Sequence, residues 1–166
     1  LLVSLGSLFV EPVWLFYRTD AGLKVTDSGR LDSLRQLRGL RVNVGSEGSG
    51  VPTLIDRLLD ANRVEKGQVK LSRLEQTPAT MAFLAGKLDA LVFASAPESL
   101  MVQMLLQTPG VRLMDFAQHE AYGRKFPFLT PVTLPRGVVD LAGNVPAHDV
   151  RLVASTTSLV AREGTH

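Results

Sequence analysis

The stretch LRVNVGSEGSGVPTLIDRLLDAN, residues 40–62, decides the fold. Leu40, Val42 and Val44 alternate with Arg41 and Asn43, the period of a β-strand. Gly45–Gly50 (GSEGSG) breaks that period. Beyond the break, Val51, Leu54, Ile55, Leu58 and Leu59 recur at the spacing of an amphipathic helix ending near Asn62. Pro52 falls in the first turn, where a missing N–H is tolerated. A strand that runs through a glycine-rich loop into a helix is the opening of an α/β crossover unit.

The same alternation extends outward on both sides. Toward the N-terminus, residues 13–18 (VWLFYR) carry the aromatic and β-branched weight of a strand. Residues 19–38 are polar and end in a short helical turn around Leu31–Leu37. Toward the C-terminus, Val69–Leu74 is a strand. Thr77 and Pro78 then make an N-cap and first-turn pair for a helix reaching about Lys87. Ala90–Ala94 (ALVFA) is the unbroken apolar run of a strand covered on both faces. Pro97 opens another helix, Val111–Phe116 is a strand, and residues 118–126 form a short helix. Residues 129–147 hold Pro131, Pro135, Gly137, Gly143 and Pro146, and read as a loop with one extended piece at Val132–Leu134. Val150–Ala161 closes as a strand. The expected fold is a three-layer α/β/α sandwich on a mostly parallel sheet with right-handed crossovers. Its single lobe covers residues 13–163, with 1–12 a remnant of a preceding lobe or linker and 164–166 a truncated tail.

Composition narrows the function. The 166 residues hold 18 Lys and Arg against 16 Asp and Glu, interspersed, so no concentrated positive face marks a nucleic-acid binder. There is no cysteine, which removes disulfides, thiolate catalysis and cysteine zinc sites. His119, His148 and His166 are far apart and read as solvated surface residues, not as metal ligands. The apolar start, LLVSLGSLFVEPVWLFYR, is interrupted by Glu11 and Pro12 and lacks the basic lead of a signal peptide. No cofactor is implied.

In α/β sheets, ligands collect outside the carboxyl ends of the strands. Two loops meet that description. In the first, Gly45, Gly48 and Gly50 let the backbone turn and approach a ligand, and Ser46 and Ser49 add hydroxyls. The start of the next helix adds N–H groups and partial positive charge, a combination suited to a carboxylate or similar anion. The plain alternative is a glycine-rich turn with Ser49 as an N-cap. The spacing is neither a P-loop nor a dinucleotide fingerprint. In the second loop, Ser95-Ala96-Pro97, Ser95 either donates to a ligand or caps the following helix. Glu47 either points outward or receives an ammonium group. Glu98 complements a helix dipole. No nucleophile or base is paired with either glutamate, so the chain does not read as an enzyme. Trp14 and Phe16 read as core; Tyr17 and Tyr122 fit a core or a cleft wall. Asp56, Arg57 and Asp60 read as solvated surface.

Five segments in order resemble the second lobe of the TAXI family of solute receptors. They are EPVWLFYR (Glu11–Arg18), LRGLRVNVGSEGSG (Leu37–Gly50), GKLDALVFASAPES (Gly86–Ser99), RKFPFLTPVTLPRGVV (Arg124–Val139) and Asp149–Arg162. The resemblance implies a two-lobed periplasmic binding protein of type II fold. Such a protein closes on a small anionic or amino-acid-like solute and presents it to TRAP membrane permease subunits. It places the chain outside the cytoplasm, with any membrane anchor outside this segment, and makes the other lobe of the same receptor its partner. By position, the solute falls on Gly45, Ser46, Gly48, Ser49, Gly50, Ser95 and Ala96. Glu47 departs from the small residue or proline usual there. The rival readings are a ligand-sensing effector domain of a regulator with the same general fold and, after it, an enzyme on a related fold.

Overall fold

A computed structural model describes residues 11–155. The sequence-predicted strand beyond Ser155, the tail at 164–166 and residues 1–10 of the N-terminal remnant lie outside the described residues.

Seven strands form one sheet: β1 (Glu11–Arg18), β2 (Arg41–Asn43), β3 (Lys70–Ser72), β4 (Ala90–Ala94), β5 (Val111–Leu113), β6 (Leu129–Leu134) and β7 (Val150–Ser155). Among the described residues five α-helices accompany them: α1 (Thr19–Gly22), α2 (Val51–Ala61), α3 (Gln76–Leu84), α4 (Leu100–Leu106) and α5 (His119–Lys125). The strand order is β3-β2-β4-β1-β7-β6, and β5 shares an edge of β1.

β2 pairs in parallel with both β3 and β4, as the strand–helix alternation predicts. β1 is different: it runs antiparallel to β4, β5 and β7, and β6 runs antiparallel to β7. Five strands therefore point one way, and β1 and β6 point the other. One edge of β1 is paired with β4 from Val13 to Tyr17. Its other edge is divided, Glu11–Val13 lying against β7 and Phe16–Arg18 against β5.

Six consecutive residues of β1, Val13–Tyr17 with Pro12, are buried, so this strand is covered on both faces. β4 shows the same run from Ala90 to Phe93. Trp14, Phe16 and Phe93 stack through the middle of this core. The α/β class is the one expected from the sequence; the mostly parallel pairing expected with it is found in β3-β2-β4, while the pairings of β1 and β6 make the sheet as a whole mixed.

Several local expectations are corrected. α3 begins at Gln76 after an N-cap at Glu75, not at Thr77-Pro78, and ends at Leu84. α4 begins at Leu100, not Pro97, because Ser99 supplies the cap: its hydroxyl accepts from the Val102 N–H at 3.2 Å. β5 stops at Leu113; the Met114 N–H still donates to the Leu15 carbonyl on β1 at 2.8 Å, and the chain then crosses to β7, where the Phe116 N–H donates to the Arg151 carbonyl. β6 is a full six-residue strand despite Pro131, which pairs in register with Val153. Proline is tolerated there because, among the described residues, β6 is the last strand of the sheet, where one side needs no partner. His119 is not solvated; its Nδ1 lies 3.2 Å from the carbonyls of Val132 and Leu152 and joins α5 to the β6–β7 pair. Arg57 is exposed as expected, and its guanidinium also lies 4.7 Å from the Phe128 ring centroid.

Candidate functional site

Parallel pairing of β2 with β4 brings the loops after them together at one edge of the sheet. β3, on the other side of β2, adds the loop that leads into α3. β1 is antiparallel to β4, so its first residue arrives where β4 ends: the Ser95 N–H donates to the Pro12 carbonyl at 3.3 Å. These four chain segments enclose a cleft of about 360 Å³. Its floor is apolar, from Leu91 to Ala94 with Val51; its polar rim is Glu11, Asn43, Ser46, Ser49, Glu75, Gln76 and Ser95.

Of the residues selected from the sequence, Gly45, Ser46, Ser49 and Ser95 come together around this cleft. Gly48, Gly50 and Ala96 do not line it. Gly50 has another task. It is the N-cap of α2 with φ of 78°, the left-handed conformation that glycine adopts at little cost. Gly45, at φ of 90°, turns the chain out of β2 in the same way.

The serines divide by what they already hold. The Ser49 hydroxyl donates to the Ser46 carbonyl at 2.8 Å and accepts from the Val51 N–H at 3.2 Å, so it is engaged in building the turn. Ser46 sits at the N-cap position of the 3-10 turn Glu47–Ser49 without a side-chain cap bond. Ser95 is not a cap, since Ser99 fills that role, and its hydroxyl makes only a long 3.4 Å contact with the neighbouring Ala96 carbonyl.

The anion-site expectation for the first loop meets a physical obstacle. The Val51 N–H is taken by the Ser49 hydroxyl, and Pro52 has no N–H. Two of the donors that a helix start ordinarily offers an anion, at positions 51 and 52, are therefore missing. Glu47 points outward, its side chain 76% exposed and paired at 3.0 Å with Arg73, and it does not line the cleft.

Glu11, Asn43, Glu75 and Gln76 were not singled out from the sequence. Asn43 is structural: its amide oxygen accepts from Ser72 Oγ at 2.9 Å and from the Leu74 N–H at 2.8 Å, and its nitrogen donates to the Leu74 carbonyl. It thereby fixes the loop that carries Glu75. Glu75 stands at the N-cap of α3, yet its side chain makes no cap bond. Burial pushes the Glu11 carboxyl above its usual range. The signal for Glu11 was its place ahead of a central strand, and for Glu75 and Gln76 their place in a third strand-end loop.

Two other cavities lie elsewhere. One, of about 350 Å³, is lined by Arg35, Arg63, Lys125 and Tyr122, whose hydroxyl accepts from Asn62 Nδ2 at 2.8 Å. The other, of about 750 Å³, lies beside the starts of β5 and β7. Tyr17 is core, and its hydroxyl accepts from the Leu31 N–H at 3.0 Å. Among the described residues no group of three or more metal-ligating side chains is gathered, and no helix is long and apolar enough to cross a membrane.

The solved structures similar to this chain include the periplasmic aliphatic sulphonate binding protein of Escherichia coli. It is 15% identical over 94% of this chain and 42% of its own, with a TM-score of 0.49. An amino acid ABC transporter substrate-binding protein of Streptococcus pneumoniae, bound to L-arginine, is 13% identical over 95% of this chain and 52% of its own, with a TM-score of 0.46. An ABC transporter periplasmic binding protein of Brucella ovis with glutathione bound is 19% identical over 68% of this chain and 34% of its own, with a TM-score of 0.49. The chain thus spans about a third to a half of the length of each. In sequence, its residues 9–166 match the NMT1-like family, and the chain belongs to that family.

Proposed function

We propose that this chain is a solute-binding lobe of an extracytoplasmic transport receptor. The observation that carries the reading is the convergence of uncommitted polar side chains, Glu11, Ser46, Glu75 and Gln76, on an apolar-floored cleft outside the carboxyl ends of β2 and β4. Ser46 and Ser95 face the solute. Gly45 and Ser49 hold the loop in shape, with Gly48, Gly50 and Ala96 as its backbone support. The five-segment resemblance supports a finer reading: a TAXI-type receptor whose second lobe supplies the opposite wall and which delivers its solute to a TRAP permease. Closure of the two lobes about the strands that join them buries the solute.

The test is a thermal-shift screen of the intact protein against free amino acids, amines and small dicarboxylates. A solute at about 100 times its Kd adds roughly 2.7 kcal/mol of apparent stability. A shift with one class that disappears in Ser46→Trp, which fills the cleft, supports the reading. A shift that survives Ser46→Trp, or none with any class, contradicts it.

A further inference from the structure

The charge around the cleft bears on which solute it takes, a step that rests on the cleft being a solute site. Among the described residues no Lys, Arg or His lines it, whereas two carboxylates do. The arginine on the neighbouring loop, Arg73, is turned to Glu47 at 3.0 Å and lies 3.9 Å from Asp56. Glu11 is half-buried, and among the described residues no cation or side-chain donor is placed on its carboxylate. Glu75 occupies a cap position without capping. Among the described residues neither acid has a partner of its own at this ligand-sized cavity, which is costly for Glu11, half-buried there, and leaves the exposed Glu75 free to turn to a solute. The counterweight expected from α2 is reduced, because Val51 has given its N–H to Ser49 and Pro52 has none.

We propose that the cleft selects solutes carrying a protonated amine or amidine, held by Glu11 and Glu75, over solutes of equal size that carry only carboxylates. A cation supplies both carboxylates with the partner they lack, while a dicarboxylate brings like charge to an apolar-floored site. Ser46 and Gln76 remain for the other end of the solute, so an amine that also bears a carboxylate is accepted.

Three probes of matched four-carbon length separate the classes: putrescine, γ-aminobutyrate and succinate. Each is titrated calorimetrically into the intact protein at neutral pH and low ionic strength, using wild type, Glu11→Gln and Glu75→Gln. Glu75 is exposed and makes no cap bond, so its variant keeps the fold if Glu11→Gln does not. The expected result is at least tenfold tighter binding of an amine-bearing probe than of succinate, with most of that preference lost in Glu75→Gln. Succinate binding as tightly as both amines overturns the inference, as does an amine preference that survives both substitutions. Silence from all three probes overturns it as well. In each case the reading of the cleft as a solute site stands or falls separately, on whether Ser46→Trp abolishes the thermal shift given by the wider solute panel.

Discussion

The indole Nε1–H of Trp14 donates to the carbonyl of Ser95 across 2.9 Å. Trp14 is fully buried on β1, and its Cα lies opposite Phe93 on β4. One end of the side chain stacks with Phe16 in the core, and the other fixes the first residue beyond β4, where the cleft begins. Core packing and the position of the cleft loop are thereby linked through one side chain.

Trp14→Phe keeps an aromatic ring in the core but removes that donor and leaves the Ser95 carbonyl without it. The expected cost is about 2–3 kcal/mol, from the lost hydrogen bond and the residual cavity. Urea denaturation measures it. Solute affinity falls as well, because the loop after β4 loses its tether; a variant that loses stability but binds as wild type would separate the two effects.

The cap that the sequence allows at Ser95 is supplied by Ser99. Ser99 caps α4, so Ser99→Ala costs about 1 kcal/mol of stability and leaves the cleft intact. Ser95 caps nothing, so Ser95→Ala changes stability by less than about 0.5 kcal/mol and weakens solute binding. Paired denaturation and binding measurements on the two variants check this. The opposite pattern would return Ser95 to a merely structural role.

Two aspartate–arginine pairs make the fold sensitive to acid. Asp89 accepts from the Arg41 backbone N–H at 2.8 Å, from Nε at 3.1 Å and from Nη2 at 2.9 Å. Asp115 repeats the arrangement with Arg151, accepting from the backbone N–H at 2.7 Å and from Nη2 at 2.6 Å. Burial resists the charge on both carboxyls, but the hydrogen bonds from the arginine side chains and backbones outweigh it and hold both below the usual aspartate range. A carboxyl with a lowered folded-state pKa adds stability above its unfolded value, about 3.9, and that contribution is lost as pH falls through the lower folded value. Glu11, raised by burial, acts in the opposite sense: its ionisation opposes folding as pH rises through its raised value. The urea midpoint is expected to drop below about pH 4. Asp89→Asn, which leaves Arg41 without its bidentate partner, costs about 1.5–3 kcal/mol at neutral pH and makes the acid slope shallower. Urea titrations at a series of pH values compare the two proteins.

Much of this molecule is legible in residues 40–62, where the change of period from two to 3.6 marks β2, its loop and α2. Ser46 and Ser95 are visible from the same rule, which places ligands after parallel strands. What the sequence hides is the direction of β1. A strand ahead of the first crossover unit carries no local mark of being antiparallel, and that direction alone brings Glu11 to the cleft. Pro78 and Pro97 are conspicuous as helix openers, yet α3 and α4 begin at Gln76 and Leu100. The side chains that occupy the N-cap positions are Glu75 and Ser99, and Glu75 lies in the cleft as a result. The depletion of N–H groups at α2 was also hidden, because it depends on where the Ser49 hydroxyl points.

The central claim is that the cleft at the ends of β2 and β4 is where solute binds. Amide chemical-shift mapping tests it most directly, with an equimolar mixture of the common amino acids titrated into the isotope-labelled protein. The account predicts perturbations gathered at Gly45, Ser46, Ser49, Gln76 and Ser95. Perturbations gathered instead at Arg35, Arg63 and Lys125, or none in the cleft, would contradict it.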